Sequence, residues 1–426
     1  MTLLWILLVL LGMIGFGVPI AFALAAVSIV VLTIAGVDML VVAQRFYRGV
    51  QGFPLVAVPL FILAGQVMNR SGISGHLVEF AKTLVGQMRG GLAAVNVVTS
   101  MFFAGMSGTA MSDTAAVGGI LIPPMIQRGY SRAFTGAVTA SSSTIGIIIP
   151  PSVPMVILAA YMGASTGALF AAGLISGVLL GLGLIFASWI VSKREGYPAE
   201  DRFSVIALLK ALLKAAPALT MPVIILGGIL GGIFTPTEAS AVAVVYGIVV
   251  SVFYYRTLGI KKLYGVFVES GILSGAVMFV TATAHVLGYT FAYESLADEV
   301  LKPIAQAAMS PTMFLVVVSF VLIVAGTFLD GIAMMFIIVP LFLPAIQLLG
   351  IDPIHFAMVV IICWGIGQQT PPVGAALFIT SVIARVDVLT LTRSNIPFIF
   401  VMFVVLALVI LFPDTIVLSI PRALGL

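Results

Sequence analysis

The chain has 426 residues, of which 62% are hydrophobic and 8% are charged, and its formal net charge is +4. Soluble domains carry about 25% charged residues, so this chain is too poor in charge to cover a water-facing surface. We therefore expect an all-α polytopic membrane protein. The single cysteine, Cys363, excludes a disulfide within the chain, and the three histidines show no metal-ligand spacing.

The first 90 residues predict membrane spans and an interfacial arm. Residues 2–35 are apolar but interrupted by Gly-Phe-Gly-Val-Pro, which leaves two short spans or one long tilted span as alternatives. Residues 38–51 are amphipathic, as in helices that lie at a membrane interface, and 53–68 predict a crossing. The polar segment 70–89 ends this first unit, 1–90, which we assign as the N-terminal spans and arm of a first repeat.

A re-entrant hairpin is predicted at 91–127. This segment is apolar except for its middle, 105–114, which contains Gly, Ser, Thr and Asp residues. The apolar arms are about 13 to 15 residues long, shorter than the roughly 17 to 25 residues that a helical span needs. Arg89 precedes the hairpin, and Arg128 and Arg132 follow it, so both ends are expected on the cytoplasmic side.

A broken helix follows the hairpin and completes the unit 91–162. The apolar segment 133–161 is interrupted at Gly146 and at Pro150–Pro151. Proline cannot donate a backbone hydrogen bond and restricts the residue before it, so a helix is expected to break there.

The second half repeats this plan. Unit 163–310 holds further spans and a second arm, unit 311–384 holds a hairpin at 312–349 and a broken helix at 353–384, and unit 385–426 holds the last span. Acidic segments flank the second hairpin where basic ones flank the first. The two repeats are therefore predicted to be inverted relative to each other in the membrane, as in secondary transporters.

The two halves are related by a shift of 221 residues without a gap, which carries Gly105 onto Gly326. The same shift relates Pro123 to Pro344, Gly129 to Gly350, Gly146 to Gly367, and Pro150–Pro151 to Pro371–Pro372. Glycine and proline constrain backbone geometry, so what repeats is a backbone shape.

The hairpin tips and the helix breaks are the candidate sites, because irregular backbone at membrane depth is tolerated only where it is buried or lines a cavity. Unwound backbone at Gly105, Gly146, Gly326 and Gly367 would free carbonyl oxygens beside nearby hydroxyls. Such cages suit Na⁺, and half-helix N-termini suit an anion between them. Two cages imply at least two ions. The alternative is that these small residues only allow close helix packing.

Two carboxylates lie within the hairpins, and a buried charge in a membrane protein is a candidate functional group. Asp330 could orient a solute hydroxyl, assist ion binding or take a proton, whereas Asp113 could equally cap a helix. The other candidate solute contacts are Thr109, Ser142, Ser143, Thr144 and Gln368. The hydroxyls among them could instead bond to carbonyls of their own helix.

Catalysis is not expected, because the sequence lacks a constellation of nucleophile, base and metal ligands. Glu238 follows Thr235–Pro236–Thr237 and is expected to cap or orient the start of a helix.

Several motifs resemble the large membrane subunit of the TRAP (tripartite ATP-independent periplasmic) transporters. They run along essentially the whole chain: Ile62-Leu63-Ala64-Gly65, Ser107-Gly108-Thr109, Gly146-Ile147-Ile148-Ile149-Pro150-Pro151-Ser152, Gly232-Ile233-Phe234-Thr235-Pro236-Thr237-Glu238-Ala239, Gly350-Ile351-Asp352-Pro353 and Pro371-Pro372-Val373-Gly374. The resemblance implies a Na⁺-coupled importer of organic acids in a bacterial inner membrane. It also implies an elevator-type fold in which the units 91–162 and 311–384 form a moving transport domain.

The resemblance also implies partners and ion ligands. A periplasmic substrate-binding protein would deliver the solute, and a small four-helix membrane subunit would be a separate chain. The implied sodium ligands are Gly105, Ser107 and Gly146 in one half, and Gly326, Gly367 and Thr370 in the other. An acid at Asp330 also fits the family's second tip.

The chain departs from the family pattern at Asp113, Ser143 and Thr144. The additional hydroxyls favour sialic acid or another sugar acid over a C4-dicarboxylate as the solute. A stand-alone Na⁺/dicarboxylate symporter, an ion channel and H⁺ coupling through Asp330 remain alternatives.

Overall fold

The structure is a computed structural model that describes residues 2–199 and 203–426, apart from the side chains of Thr2 and Ser107. Helices dominate the described residues. The first half contains α1 (Thr2–Gly15), α2 (Ile20–Ile34), α3 (Met39–Arg48), a 3₁₀ turn (Phe53–Val56), α4 (Ala57–Arg70), α5 (Ser74–Val85), α6 (Gly91–Ser107), α7 (Ala110–Gln127), α8 (Arg132–Ser143), α9 (Ile145–Ile148), α10 (Val153–Met162) and α11 (Thr166–Glu195). The second half contains α12 (Val205–Leu230), α13 (Pro236–Val249), a π turn (Val250–Tyr254), α14 (Ile260–Tyr293), α15 (Leu296–Gln306), α16 (Pro311–Phe328), α17 (Gly331–Leu348), α18 (Pro353–Gly367), α19 (Ala375–Ala384), α20 (Val388–Leu411), α21 (Pro413–Ile416) and α22 (Ser419–Ala423).

The N-terminal segment forms two helices, which decides between the two alternatives that the sequence left open. The chain turns between α1 and α2 at Gly17, whose φ is +85°, and Pro19 precedes α2. The amphipathic segment 38–51 contains helix α3, and the Asp38 carboxylate accepts a hydrogen bond from the Leu40 N–H (2.8 Å) at its start.

Membrane-spanning length is reached by eight helices in the part of the chain that the structure describes. The longest, α14, runs over 34 residues. Helix α12 keeps Pro217 and Pro222 within it. The fold is therefore that of a multi-pass helical membrane protein.

Both predicted hairpins form, but their arms are longer and their tips shorter than the sequence indicated. Helices α6 and α7 join at Gly108 and Thr109, and Gly108 adopts a left-handed φ of +63°. The polar segment 105–114 is otherwise helical. Helices α16 and α17 join at Leu329 and Asp330. The arms are 17 or 18 residues long because only the two residues at each tip leave the helical conformation.

Consequently, the prediction that the backbone unwinds at Gly105 and Gly326 is wrong, because both glycines lie within helices. Gly146 also lies in the short helix α9, and Gly367 is the last residue of α18.

The helix breaks occur instead at the paired prolines. The chain is extended between α9 and α10, and the part formed by α8 and α9 (132–148) is bent by 43° relative to α10. In the second half, 368–374 separate α18 from α19. The interruption follows from the proline chemistry that predicted it, since the residue before a proline is disfavoured in the helical region.

Each hairpin tip contacts the break of its own repeat through the backbone. The Val153 N–H donates to the Gly108 carbonyl (3.3 Å), and the Val373 N–H donates to the Thr327 carbonyl (3.3 Å). The sequence repeat thus corresponds to a repeated tip-and-break pair.

Candidate functional site

A cavity of about 620 Å³ is lined by residues of both hairpin tips. Its size is in the range of small-molecule sites. One wall comes from the tips and the breaks, and the facing wall comes mainly from α4 and α14. The lining residues that matter below are Gln66, Asn69, Thr109, Ser112, Asp330, Trp364 and Gln368.

The structure brings together three of the six predicted solute contacts. Thr109 comes from the first tip, Asp330 from the second tip, and Gln368 from the residue after α18. Asp330 caps α17, because its Oδ2 accepts a hydrogen bond from the Ile332 N–H (3.2 Å). These polar groups belong to different elements, so the cavity exists only where both repeats are folded together.

The other three predicted solute contacts do not line the cavity. Ser142 donates to Asn96 Oδ1 (2.9 Å), while Ser143 and Thr144 donate to the Ala140 and Ser141 carbonyls (2.8 and 2.5 Å). All three hydroxyls are buried among helices. Short hydroxyl side chains can satisfy themselves on the carbonyl one turn earlier, which is the alternative that the sequence left open.

In the first half, the Asp113 carboxylate occupies the space between tip and break. A Cβ atom at Gly146 would lie 2.1 Å from Asp113 Oδ2 and 3.6 Å from the Thr109 carbonyl oxygen, so only glycine leaves room for this carboxylate. Gly105 instead packs against Pro222. A Cβ atom at Gly105 would lie 3.8 Å from the Pro150 carbonyl oxygen. The predicted ligand Ser107 has its side chain outside the described residues.

In the second half, backbone packs directly on backbone. A Cβ atom at Gly367 would lie 2.7 Å from the Gly326 carbonyl carbon, and one at Gly326 would lie 3.3 Å from Gly367 Cα. The Thr370 hydroxyl donates to the Ile366 carbonyl (2.8 Å). The sequence-predicted sodium ligands of this half therefore lie together at one tip-and-break contact.

A buried polar network joins the two breaks. Gln369 Oε1 accepts from Ser141 Oγ (2.7 Å) and from Asn395 Nδ2 (3.0 Å), and Gln369 Nε2 donates to Thr144 Oγ1 (3.2 Å). All four side chains are fully buried. The network explains why the hydroxyl-rich segment of the first break faces protein.

Sequence reasoning missed Asn69 and Trp364, which both line the cavity. Asn69 donates to Ser112 Oγ (2.6 Å) and so links α4 to the first hairpin. The only available signals were a polar residue near the end of an apolar span and a tryptophan four residues before Gln368.

This architecture defines a multi-pass helical membrane protein with an interior, solute-sized cavity between paired hairpin tips. Residues 6–415 match the family model described as "Tripartite ATP-independent periplasmic transporter, DctM component". The chain is 37% identical over 384 residues to the C4-dicarboxylate TRAP transporter large permease protein DctM of Pseudomonas aeruginosa, covering 90% of each chain. It is 36% identical over 407 residues to the sialic acid TRAP transporter large permease protein SiaM of Vibrio cholerae, covering 95% of each.

Among solved structures, the crystal structure of the Alcanivorax borkumensis YdaH transporter shares the fold. It superposes with a TM-score of 0.67 at 14% identity and covers 86% of each chain. The chain belongs to the TRAP transporters, as a DctM-type large membrane subunit.

Proposed function

We propose that this subunit imports an organic acid across a bacterial inner membrane, driven by Na⁺, and that it receives the acid from a periplasmic binding protein. The observation that carries the proposal is the cavity between the tips of the two hairpins. Relatives named for C4-dicarboxylate and for sialic acid support an organic acid as the solute.

Sodium coupling is supported by the charge of the cavity. Among the described lining residues none is Lys, Arg or His, and one is the acid Asp330. An anionic solute in this cavity has no basic side chain to pair with, so a bound cation is the natural source of compensating charge. We place Na⁺ at the residues that the family resemblance implies, Gly105, Ser107 and Gly146 in the first half and Gly326, Gly367 and Thr370 in the second.

The elevator mechanism is supported by the two-sided construction of the cavity. Helices α4 and α14 form one wall, while tips and breaks form the other. Movement of the hairpins and broken helices as a unit past α4 and α14 would carry a bound solute across the membrane. A small four-helix subunit, as a separate chain, would complete the membrane complex.

The test is uptake into proteoliposomes that contain this chain and its small partner subunit. Labelled N-acetylneuraminate or succinate is supplied under an inward Na⁺ gradient, with and without the binding protein. We expect uptake only when Na⁺ and the binding protein are both present. Uptake with Na⁺ alone would instead support a stand-alone symporter, and a Na⁺ current that does not need the acid would support a channel.

A further inference from the structure

We propose that the conformation of this structure is the resting state of the transporter, and that two contacts without a counterpart in the other repeat hold it there. The contacts are the hydrogen bond from Asn69 to Ser112 and the packing of the Tyr161 hydroxyl against Gly288. We call these two contacts the latch. The inference rests on the proposed elevator function and adds to it a bias between the two conformations.

The first latch contact joins the cavity wall formed by α4 and α14 to the first hairpin. Asn69 lies near the end of α4, and Ser112 lies in the first turn of α7. Asn69 Nδ2 donates a hydrogen bond to Ser112 Oγ at 2.6 Å. Because α4 belongs to the wall and α7 to the hairpin, a movement of the hairpins past the wall has to break this hydrogen bond.

The second latch contact joins α10, which follows the first helix break, to α14. A Cβ atom at Gly288 would lie 2.7 Å from the Tyr161 hydroxyl oxygen, so this hydroxyl fills the space that glycine leaves open. The centroid of the Tyr161 ring also lies 5.3 Å from that of His285 on α14 and 5.3 Å from that of Phe336 on α17. Tyr161 therefore packs against the wall and the second hairpin at once, and a shift along α14 would withdraw its hydroxyl from Gly288.

The shift of 221 residues that relates the hairpins also relates the helices of the wall. Met39, the first residue of α3, shifts onto Ile260, the first residue of α14. Val85, the last residue of α5, shifts onto Gln306, the last residue of α15. The two repeats are thus in register before the hairpins as well as within them, so the counterpart of each latch residue can be read from the sequence.

The first latch contact has no equivalent in the second repeat. Asn69 and Ser112 shift onto Thr290 and Ala333. Alanine has no hydrogen-bonding side chain, and Thr290 Oγ1 donates to the Val286 carbonyl of its own helix (2.9 Å). The second repeat therefore cannot make this side-chain hydrogen bond between its wall helix and its hairpin.

The second latch contact has no equivalent either. Tyr161 shifts onto Val382, and Gly288 shifts onto Val67. Valine is shorter than tyrosine and carries no hydroxyl, and the branched side chain of Val67 occupies the space that a glycine would leave open. The counterpart positions therefore cannot form a tyrosine-in-glycine contact.

The missing counterparts make the two conformations unequal. Inverted repeats that share one backbone plan reach the opposite access state when the two halves exchange their arrangements. In that state the latch contacts are broken, and the second repeat offers no contacts of the same kind to replace them. The loss of one neutral hydrogen bond alone changes an equilibrium constant about fivefold. The latch therefore favours the conformation that contains it.

The experiment measures the distance between the first hairpin and the wall by double electron–electron resonance, in the permease complex in nanodiscs. Spin labels are attached at Gln127→Cys, the end of α7, and at Lys261→Cys, near the start of α14, which are both exposed positions. The buried Cys363 is replaced by Cys363→Ala, and the small subunit is made free of cysteine. Without Na⁺ or solute, we expect one dominant distance and a minor second one.

Variants then assign this preference to the latch. Ser112→Ala is expected to raise the ratio of the minor to the dominant distance about fivefold, and Gly288→Ala to raise it in the same direction. Gly275→Ala is the matched control, because it makes the same change on α14 where nothing lies within 4 Å of the new Cβ. Adding Asn69→Ala to Ser112→Ala should shift the ratio little further.

Nearly equal populations without the substitutions, or an unchanged ratio in both Ser112→Ala and Gly288→Ala, would overturn the inference. If one variant fails to fold, as judged by size-exclusion chromatography, the other still tests it. Failure of the proposed elevator function has a different signature. In that case a single distance persists in every variant, with and without Na⁺, the binding protein and N-acetylneuraminate.

Discussion

The two tip-and-break pairs share a backbone plan but fill the contact differently. In the first pair, the Asp113 carboxylate lies between tip and break against Gly146. In the second pair, Gly326 and Gly367 meet with nothing between them. The two halves therefore share the positions where the chain bends, while single side chains determine what fills each contact.

The two pairs also differ in how they face the cavity. The second tip contributes Asp330, which caps α17 and lines the cavity, whereas Asp113 of the first tip is fully buried and does not line it. The acids of the two hairpins therefore cannot act equivalently. We expect Asp330 to act on the solute side and Asp113 on the tip-and-break contact.

The largest effect is expected from Gly367→Ala, because its Cβ would lie 2.7 Å from backbone that cannot move aside easily. Such overpacking costs about 1–3 kcal/mol and would separate the second tip from its break. We expect Na⁺-driven uptake to fall to about a tenth of wild type, the factor that corresponds to about 1.4 kcal/mol. Gly326→Ala, with its nearest backbone at 3.3 Å, should be milder.

Gly365→Ala is the matched control, since it makes the same change on the same helix with nearest atoms at 3.5 Å. Comparable losses at Gly365 and Gly367 would show that α18 tolerates no alanine, and that the tip-and-break contact has no special role.

In the first tip-and-break pair, we expect a substitution at Gly146 to act through the Asp113 carboxylate. Gly146→Ala would place a Cβ 2.1 Å from Asp113 Oδ2 and is expected to push the carboxylate aside, lowering the apparent Na⁺ affinity of uptake. In an Asp113→Ala background the same substitution has room, so its added effect should be much smaller. Additive effects in this double-mutant cycle would contradict a direct contact.

The network that joins the two breaks should contribute mainly to stability. Gln369→Leu removes the acceptor of the buried Asn395 Nδ2, at a cost of about 1–3 kcal/mol, whereas Ser141 keeps its hydrogen bond to Asn395 Oδ1 (2.6 Å). We expect a lower melting temperature for the purified protein. Gln347→Leu, at an exposed site, controls for the loss of an amide and should leave the melting temperature nearly unchanged.

The smallest effect concerns the helix starts outside the hairpins. Helix α13 begins with a capping box in which Thr235 and Glu238 exchange hydrogen bonds, which confirms the capping role predicted for Glu238. Helix α2 follows Pro19 without a side-chain cap. Thr235→Ala should cost about 1 kcal/mol, measured by thermal unfolding, whereas Thr33→Ala within α2 should cost less. A larger loss of stability for Thr33→Ala than for Thr235→Ala would contradict the capping role of Thr235.

Much of the fold could be predicted from the sequence because its signals are local. Low charge content indicated a membrane protein, and glycine and proline in register located the hairpins and the breaks, since these residues act on the backbone wherever they occur. The exact tips could not be predicted in this way. Apart from Gly108 and Thr109, the polar segment 105–114 is helical, because Ser112 bonds to Asn69 of α4 and Thr114 bonds to the Ala110 carbonyl of its own helix.

The candidate site, like the fold, could be predicted only in part from the sequence. The sequence by itself placed Thr109, Asp330 and Gln368 at tips and breaks, and all three line the cavity. Only the tertiary structure decided that Ser142, Ser143 and Thr144 face protein, and that Asn69 and Trp364 face the cavity. A uniformly apolar helix does not show in its sequence which side faces other helices. That side is determined by tertiary contacts, such as the hydrogen bond from Asn69 to Ser112, 43 residues apart. In a chain that is apolar on nearly every helix face, hydrophobic periodicity carries no such information, so packing alone determines where each polar group points.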